Sequence, residues 1–72
     1  MFDKKVFGQR LKELRLKNQL TQSQIAELIN VKKSTISEIE NGKFTTTLEK
    51  VYILADYFGV SIDYLTGKTD SK

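Results

Sequence analysis

The 72-residue sequence contains no cysteine, histidine, tryptophan or proline. Without cysteine no disulfide can form, which fits a reducing compartment. Without cysteine and histidine, zinc-finger ligation, thiol nucleophiles and imidazole acid–base chemistry are excluded. Carboxylates, lysines and tyrosines remain, and none is paired as catalysis would require. The nearest set, Asp56, Asp63 and Tyr64, reads as a helix surface and a cap. No apolar run approaches the about 20 residues that span a bilayer. The opening Met1-Phe2-Asp3-Lys4-Lys5-Val6 has basic residues but no apolar stretch behind them, unlike a secretory signal. The expectation is a cytoplasmic non-enzyme with no metal, no cofactor, no membrane association and no evident small-molecule ligand.

What is present is ordinary globular material, 39% hydrophobic and 29% charged. Residues 1–72 are expected to form one domain, which at this size buries only about 60% of the surface its unfolded chain exposes. The net charge of +3 is unevenly placed. Residues 1–43 carry nine basic against five acidic groups, and residues 44–72 carry three against four. A basic half suits nucleic acid or an acidic partner, and equally suits solvated lysines on helices.

The periodicity is helical throughout, so the expected class is all-α with five helices. The first runs from a cap at Asp3 to Lys17, with Phe7, Leu11 and Leu14 as its buried stripe and Leu16 opposite. The second opens on Thr21-Gln22-Ser23-Gln24, a capping-box pattern, and ends near Ile29, where Asn30 tolerates a left-handed backbone. The third spans about Lys32 to Asn41 and stops at Gly42. The fourth follows Thr45-Thr46-Thr47, with Thr46 and Glu49 as a second capping box. Its expected core stripe is Leu48, Val51, Leu54, Ala55 and Phe58, and Gly59 ends it. The fifth has Ser61 as cap, Ile62 and Leu65 buried, and Gly67 as stop. Residues 68–72 are polar and expected to fray.

Residues 21–41 hold the pattern that carries function. Ile25, Ile29, Val31, Ile36 and Ile39 are apolar where two steeply crossing helices need them, and Ala26 is small where the helices meet. Two short helices joined in this way form a helix-turn-helix. The stretches Leu20-Thr21-Gln22-Ser23-Gln24-Ile25-Ala26 and Ser34-Thr35-Ile36-Ser37-Glu38-Ile39-Glu40-Asn41-Gly42 resemble the Cro/CI-type, or xenobiotic-response-element-type, phage-repressor family. The resemblance extends to Arg10-Leu11-Lys12-Glu13-Leu14-Arg15 and Phe58-Gly59-Val60-Ser61-Ile62-Asp63-Tyr64-Leu65, and so covers about residues 7 to 67.

The resemblance implies a compact five-helix, lambda-repressor-like domain that binds double-stranded DNA and regulates transcription, in a bacterial or phage-infected cell at the nucleoid. A repressor acting as a homodimer on a palindromic operator is the expected form. The sequence departs from the family in three places. Asn30 stands for the usual turn glycine, Lys32 for a serine-type cap, and Thr46-Thr47 for a Pro-Ser pair. The missing cap loosens the start of the third helix by up to ~1 kcal/mol, which bears on the reach of Lys33.

With Ile36 and Ile39 inward, the outer side of the third helix carries Ser34, Ser37, Glu38 and Asn41, with Lys33 at its entering end and Thr35 on a flank. Short polar residues let a helix lie deep in the major groove. The family positions make Lys33 and Ser34 base readers, with Thr35 and Ser37 as adaptable contacts. Glu38 either accepts from a cytosine amine or turns away to pair with a lysine. Gln22, Asn41 and Lys43 match phosphate-binding positions, Thr45 and Thr46 add hydroxyls, and Lys17 and Arg10 are looser candidates. Arg15 and Glu40 match an internal ion pair joining the first and third helices. Candidates for a dimer interface, weak without DNA, are Phe44 first, then Tyr57, Tyr64 and Leu65, with Ile62 beside them; core packing is the favoured role for Ile62 and Leu65. A second reading stays open: a protein-interaction or antitoxin-like module of the same fold with weak or no DNA binding, favoured by Glu38 and the modest charge.

Overall fold

The computed structural model describes residues 2–72, and all regular structure in them is helical. Five helices follow in order: α1 (Lys4–Lys17), α2 (Gln22–Ile29), α3 (Lys33–Glu40), α4 (Leu48–Phe58) and α5 (Ile62–Leu65). The starts are set by short polar side chains. Asp3 accepts from the amides of Lys5 and Val6. Thr21 and Gln24 form the reciprocal capping box, and Ser61 accepts from the amide of Tyr64. Lys32 precedes α3 with no side-chain cap, as its chemistry requires.

All five helices end in the same left-handed wrap. After α3, Gly42 donates to the carbonyl of Ile39 and Lys43 to that of Glu38, the paired bonds of a Schellman motif. Asn30, Gly59 and Gly67 close α2, α4 and α5 in the same way. Closing α1 falls to Gln19, at φ 58°, a residue with a Cβ and no local polar compensation.

The core is one cluster drawn from all five helices. Phe7, Leu11, Ile25, Ile36, Ile39, Leu54 and Leu65 are fully buried in it, and Ala26, Ile29 and Val51 are nearly so. Val31, Phe58 and Ile62 lie half-buried at its edge. Gly8 lets α1 approach α3 closely, since a Cβ there would collide with the Ile39 carbonyl oxygen. A glycine inside a helix costs about 1 kcal/mol relative to alanine, and this one is placed where two backbones meet.

Three expectations are corrected. Thr47, not Thr46, caps α4, accepting from Lys50. With lysine three residues on there is no capping box. Leu48, at the first helical position, is 72% exposed instead of lying in the core, although Val51, Leu54 and Ala55 further along the same stripe are buried. Ile62 is half-buried rather than buried, because α5 is a single turn with one inward side. Residues 68–72, expected to fray, make contacts with the helices: the amide of Ser61 donates to the carbonyl of Lys72, and Arg10 donates to Thr69 and Asp70.

Candidate nucleic-acid interface

α2 and α3 pack against each other across the turn at Asn30, where φ is 59° and ψ 52°. The amide of Val31 reaches back to the Ala26 carbonyl at 2.9 Å, so the chain reverses within Asn30-Val31-Lys32. Ile36 and Ile39 point into the core and leave the opposite side of α3 outward. Lys33, Ser34 and Asn41 are exposed on it, and Thr35, Ser37 and Glu38 are half-buried. Neither ion pair among the described residues includes Glu38. Lys17, Lys43 and Thr45 are exposed and Thr46 is half-buried.

α3 is held in place by polar contacts as well as by isoleucines. Arg15 Nε donates to Glu40 Oε2 at 2.7 Å and Arg15 Nη2 to Glu40 Oε1 at 3.0 Å. Arg15 Nη1 donates to the Leu20 carbonyl at 2.9 Å, bracing the turn between α1 and α2. The two side chains are buried. Gln22 also takes part, its Nε2 donating to Glu40 Oε1 at 3.0 Å. One carboxylate thus joins α1, the start of α2 and the end of α3. Bidentate pairing with a third donor is what a buried ion pair needs to offset its desolvation. No buried side-chain nitrogen or oxygen among the described residues lacks a partner.

Three expected site residues are placed elsewhere. Arg10 does not face outward as a backbone contact would. Its Nη1 donates to the carbonyls of Tyr64 and Thr69, its Nη2 meets Asp70 at 2.7 Å, and its guanidinium lies 4.3 Å over the Tyr64 ring. Tyr64 and Leu65, named as interface candidates, are 9% and 0% exposed and belong to the core, because α5 turns them against α1 and α4. Phe44 and Tyr57 are exposed. Gln22 is half-buried with its amide spent on Glu40, leaving its backbone N–H at the start of α2 as the outward donor. Gly8 is the positioning residue that residue-by-residue reading misses; its signal is a glycine in mid-helix, where only a close approach explains it.

Residues 11–65 match the helix-turn-helix family HTH_3. The HTH-type transcriptional regulator YobD of Bacillus subtilis, itself uncharacterized, is 40% identical over 65 residues, 90% of this chain and 58% of its own length. The immunity repressor protein of Bacillus phage phi105 is 31% identical over 61 residues, 85% of this chain and 42% of its own. The crystal structure of a transcriptional regulator from Listeria innocua aligns with a TM-score of 0.82 at 39% identity, over 85% of this chain and 57% of that one. The chain therefore spans about half the length of these relatives. With the family matched across about three-quarters of the chain and the two-helix unit in place, the chain belongs to the HTH_3 helix-turn-helix family, the Cro/CI-like family its own residues resemble.

Proposed function

We propose that the chain is a sequence-specific DNA-binding module of a transcriptional regulator, a repressor that lays α3 in the major groove as a homodimer on a palindromic operator. The observation that carries this is the outward side of α3: a lysine and short polar residues stand over two fully buried isoleucines, on a helix braced from beneath by Arg15 and Glu40. Such a face can approach base edges without a bulky side chain in the way. In this reading Lys33 and Ser34 read bases at the entering end, Thr35 and Ser37 adapt to neighbouring edges, and Glu38 accepts from a cytosine amine. The backbone N–H of Gln22, with Asn41, Lys43, Thr45, Thr46 and Lys17, holds the phosphates that fix the register. Phe44 and Tyr57, both exposed, meet a second copy, on half-sites about 34 Å apart. The cytoplasm, at the nucleoid, is the place of action.

The relatives' names support a regulator, and the phi105 protein's name supports repression. Selection of bound duplexes from a random library tests the proposal. The expected outcome is a palindromic consensus with half-sites one helical turn apart. Recovery of no enriched sequence, with no gel retardation at low salt, would instead leave the protein-interaction module of the same fold.

A further inference from the structure

We propose that Lys5 and Lys4, carried by α1, form with Lys43 a phosphodiester-binding cluster at the C-terminal end of α3. The inference rests on the DNA-binding reading and adds a backbone contact from a helix that reading leaves out.

Gly42 is the meeting point. A Cβ at Gly42 would lie 3.1 Å from Lys5 Cγ, 3.2 Å from its Cα and 3.6 Å from its Cβ. The Lys5 stem therefore lies over Gly42, the residue between Asn41 and Lys43 in the backbone that links α3 to the following loop. Phe2, Asp3, Lys4, Lys5 and Gly42 line a shallow depression at this junction. Lys4, Lys5 and Lys43 are all exposed, and neither ion pair among the described residues includes any of them. Asp3 is the acidic group in the depression, and one of its oxygens is occupied by the amides of Lys5 at 2.9 Å and Val6 at 3.3 Å. Lys4 and Lys5 in the depression and Lys43 next to Gly42 in the chain, against the capped Asp3 and Glu38 one turn earlier on α3, leave a local surplus of positive charge at this junction.

These lysines have a purely structural alternative. α3 has no basic residue in its last turn, and cations at a helix C-terminus offset its macrodipole. The two roles separate experimentally. A lysine that only offsets the dipole changes stability; one that takes a phosphate changes the salt dependence of binding.

The test is Lys5→Met, which keeps the apolar stem over Gly42 and removes the charge. Binding to a mixed-sequence duplex is measured against salt concentration, beside thermal melting. The expected result is an unchanged melting midpoint and a log–log salt slope shallower by about 0.9, the value for one phosphate. The ratio of wild-type to variant affinity then falls about three- to fourfold for a fourfold rise in salt. Lys5→Arg restores the slope, and Lys68→Met, beyond α5, keeps it. A Lys5→Met slope equal to wild type, or a lowered midpoint with the slope intact, overturns the cluster while leaving DNA binding standing. A wild-type protein that retains no duplex at low salt overturns the DNA-binding reading, and the cluster with it.

Discussion

Gly8 of α1 rests against the carbonyl oxygen of Ile39 in α3 with no room for a Cβ, and the Glu40 backbone lies 3.1 Å from where that Cβ would sit. The contact sets the distance at which the two helices cross. Arg15 lies two turns further along the same face of α1, and it reaches Glu40 only because the crossing is close. Gly8→Ala should therefore destabilise the domain despite alanine's better helix propensity. The propensity gain is about 1 kcal/mol, whereas forcing helices apart in a packed core costs about 1–3 kcal/mol. Urea denaturation should show a net loss, and a more stable variant would mean that α3 is free to slide.

Arg15, Glu40 and Gln22 form one network, so their substitutions should not add. Arg15→Met alone strands a buried carboxylate, at a cost of about 3–5 kcal/mol. Arg15→Met with Glu40→Met should cost clearly less than the two singles summed, because no charge is left without a partner. Gln22→Met removes one hydrogen bond to a charged group and should cost about 1 kcal/mol at this half-buried position. The double-mutant cycle is the measurement. Strict additivity would show that the three side chains act independently.

Gln19 ends α1 in a conformation that penalises its Cβ by roughly 1–2 kcal/mol. Gln19→Gly removes that strain but gives the unfolded chain more freedom, about 0.4–1 kcal/mol in the opposite direction. A small net gain is expected, read as a melting midpoint raised by a few degrees. Asn30→Gly, starting from a residue that tolerates this region, should gain less. Equal gains at both positions would argue against the distinction.

Arg10 is expected to act on the fold and not on nucleic acid. Arg10→Met removes the donors that hold the carbonyls of Tyr64 and Thr69. Amide exchange should rise in residues 66–72, while the salt slope of duplex binding stays at the wild-type value. A slope shallower by about 0.9 would return Arg10 to the phosphate contacts.

Lys33 and Lys43 should differ in kind. Lys33→Ala is expected to alter which duplexes are selected, since it sits at the entering end of the outward face of α3. Lys43→Ala should weaken all duplexes alike and flatten the salt slope. Competition binding across a selected pool reads both at once. A uniform loss from both variants would remove Lys33 from base readout.

Much of the molecule was legible one residue at a time. The caps at Asp3, Thr21 and Ser61 depend on side chains within three residues of the groups they satisfy. The apolar spacing of Ile25, Ile29, Ile36 and Ile39 states the buried side of two helices wherever they pack. The exposure of Leu48 was not legible, because it shares a stripe with Val51 and Ala55, and periodicity does not say how far toward a helix's start the core reaches. Nor was the role of Arg10, since an arginine beside a helix stripe reads the same whether water, a phosphate or a carbonyl receives it.

The sequence by itself determined five helices, the stops of the last four and the outward polar side of α3, because these follow from periodicity and from hydrogen bonds spanning a few residues. Only the tertiary structure decided that Glu40 joins three helices, that Gly8 is a contact point, that Tyr64 is core, and that Lys5 lies over Gly42. Each of those joins residues at least twenty positions apart or on different helices. Such pairings depend on how close two backbones come, and no local rule of spacing contains that distance.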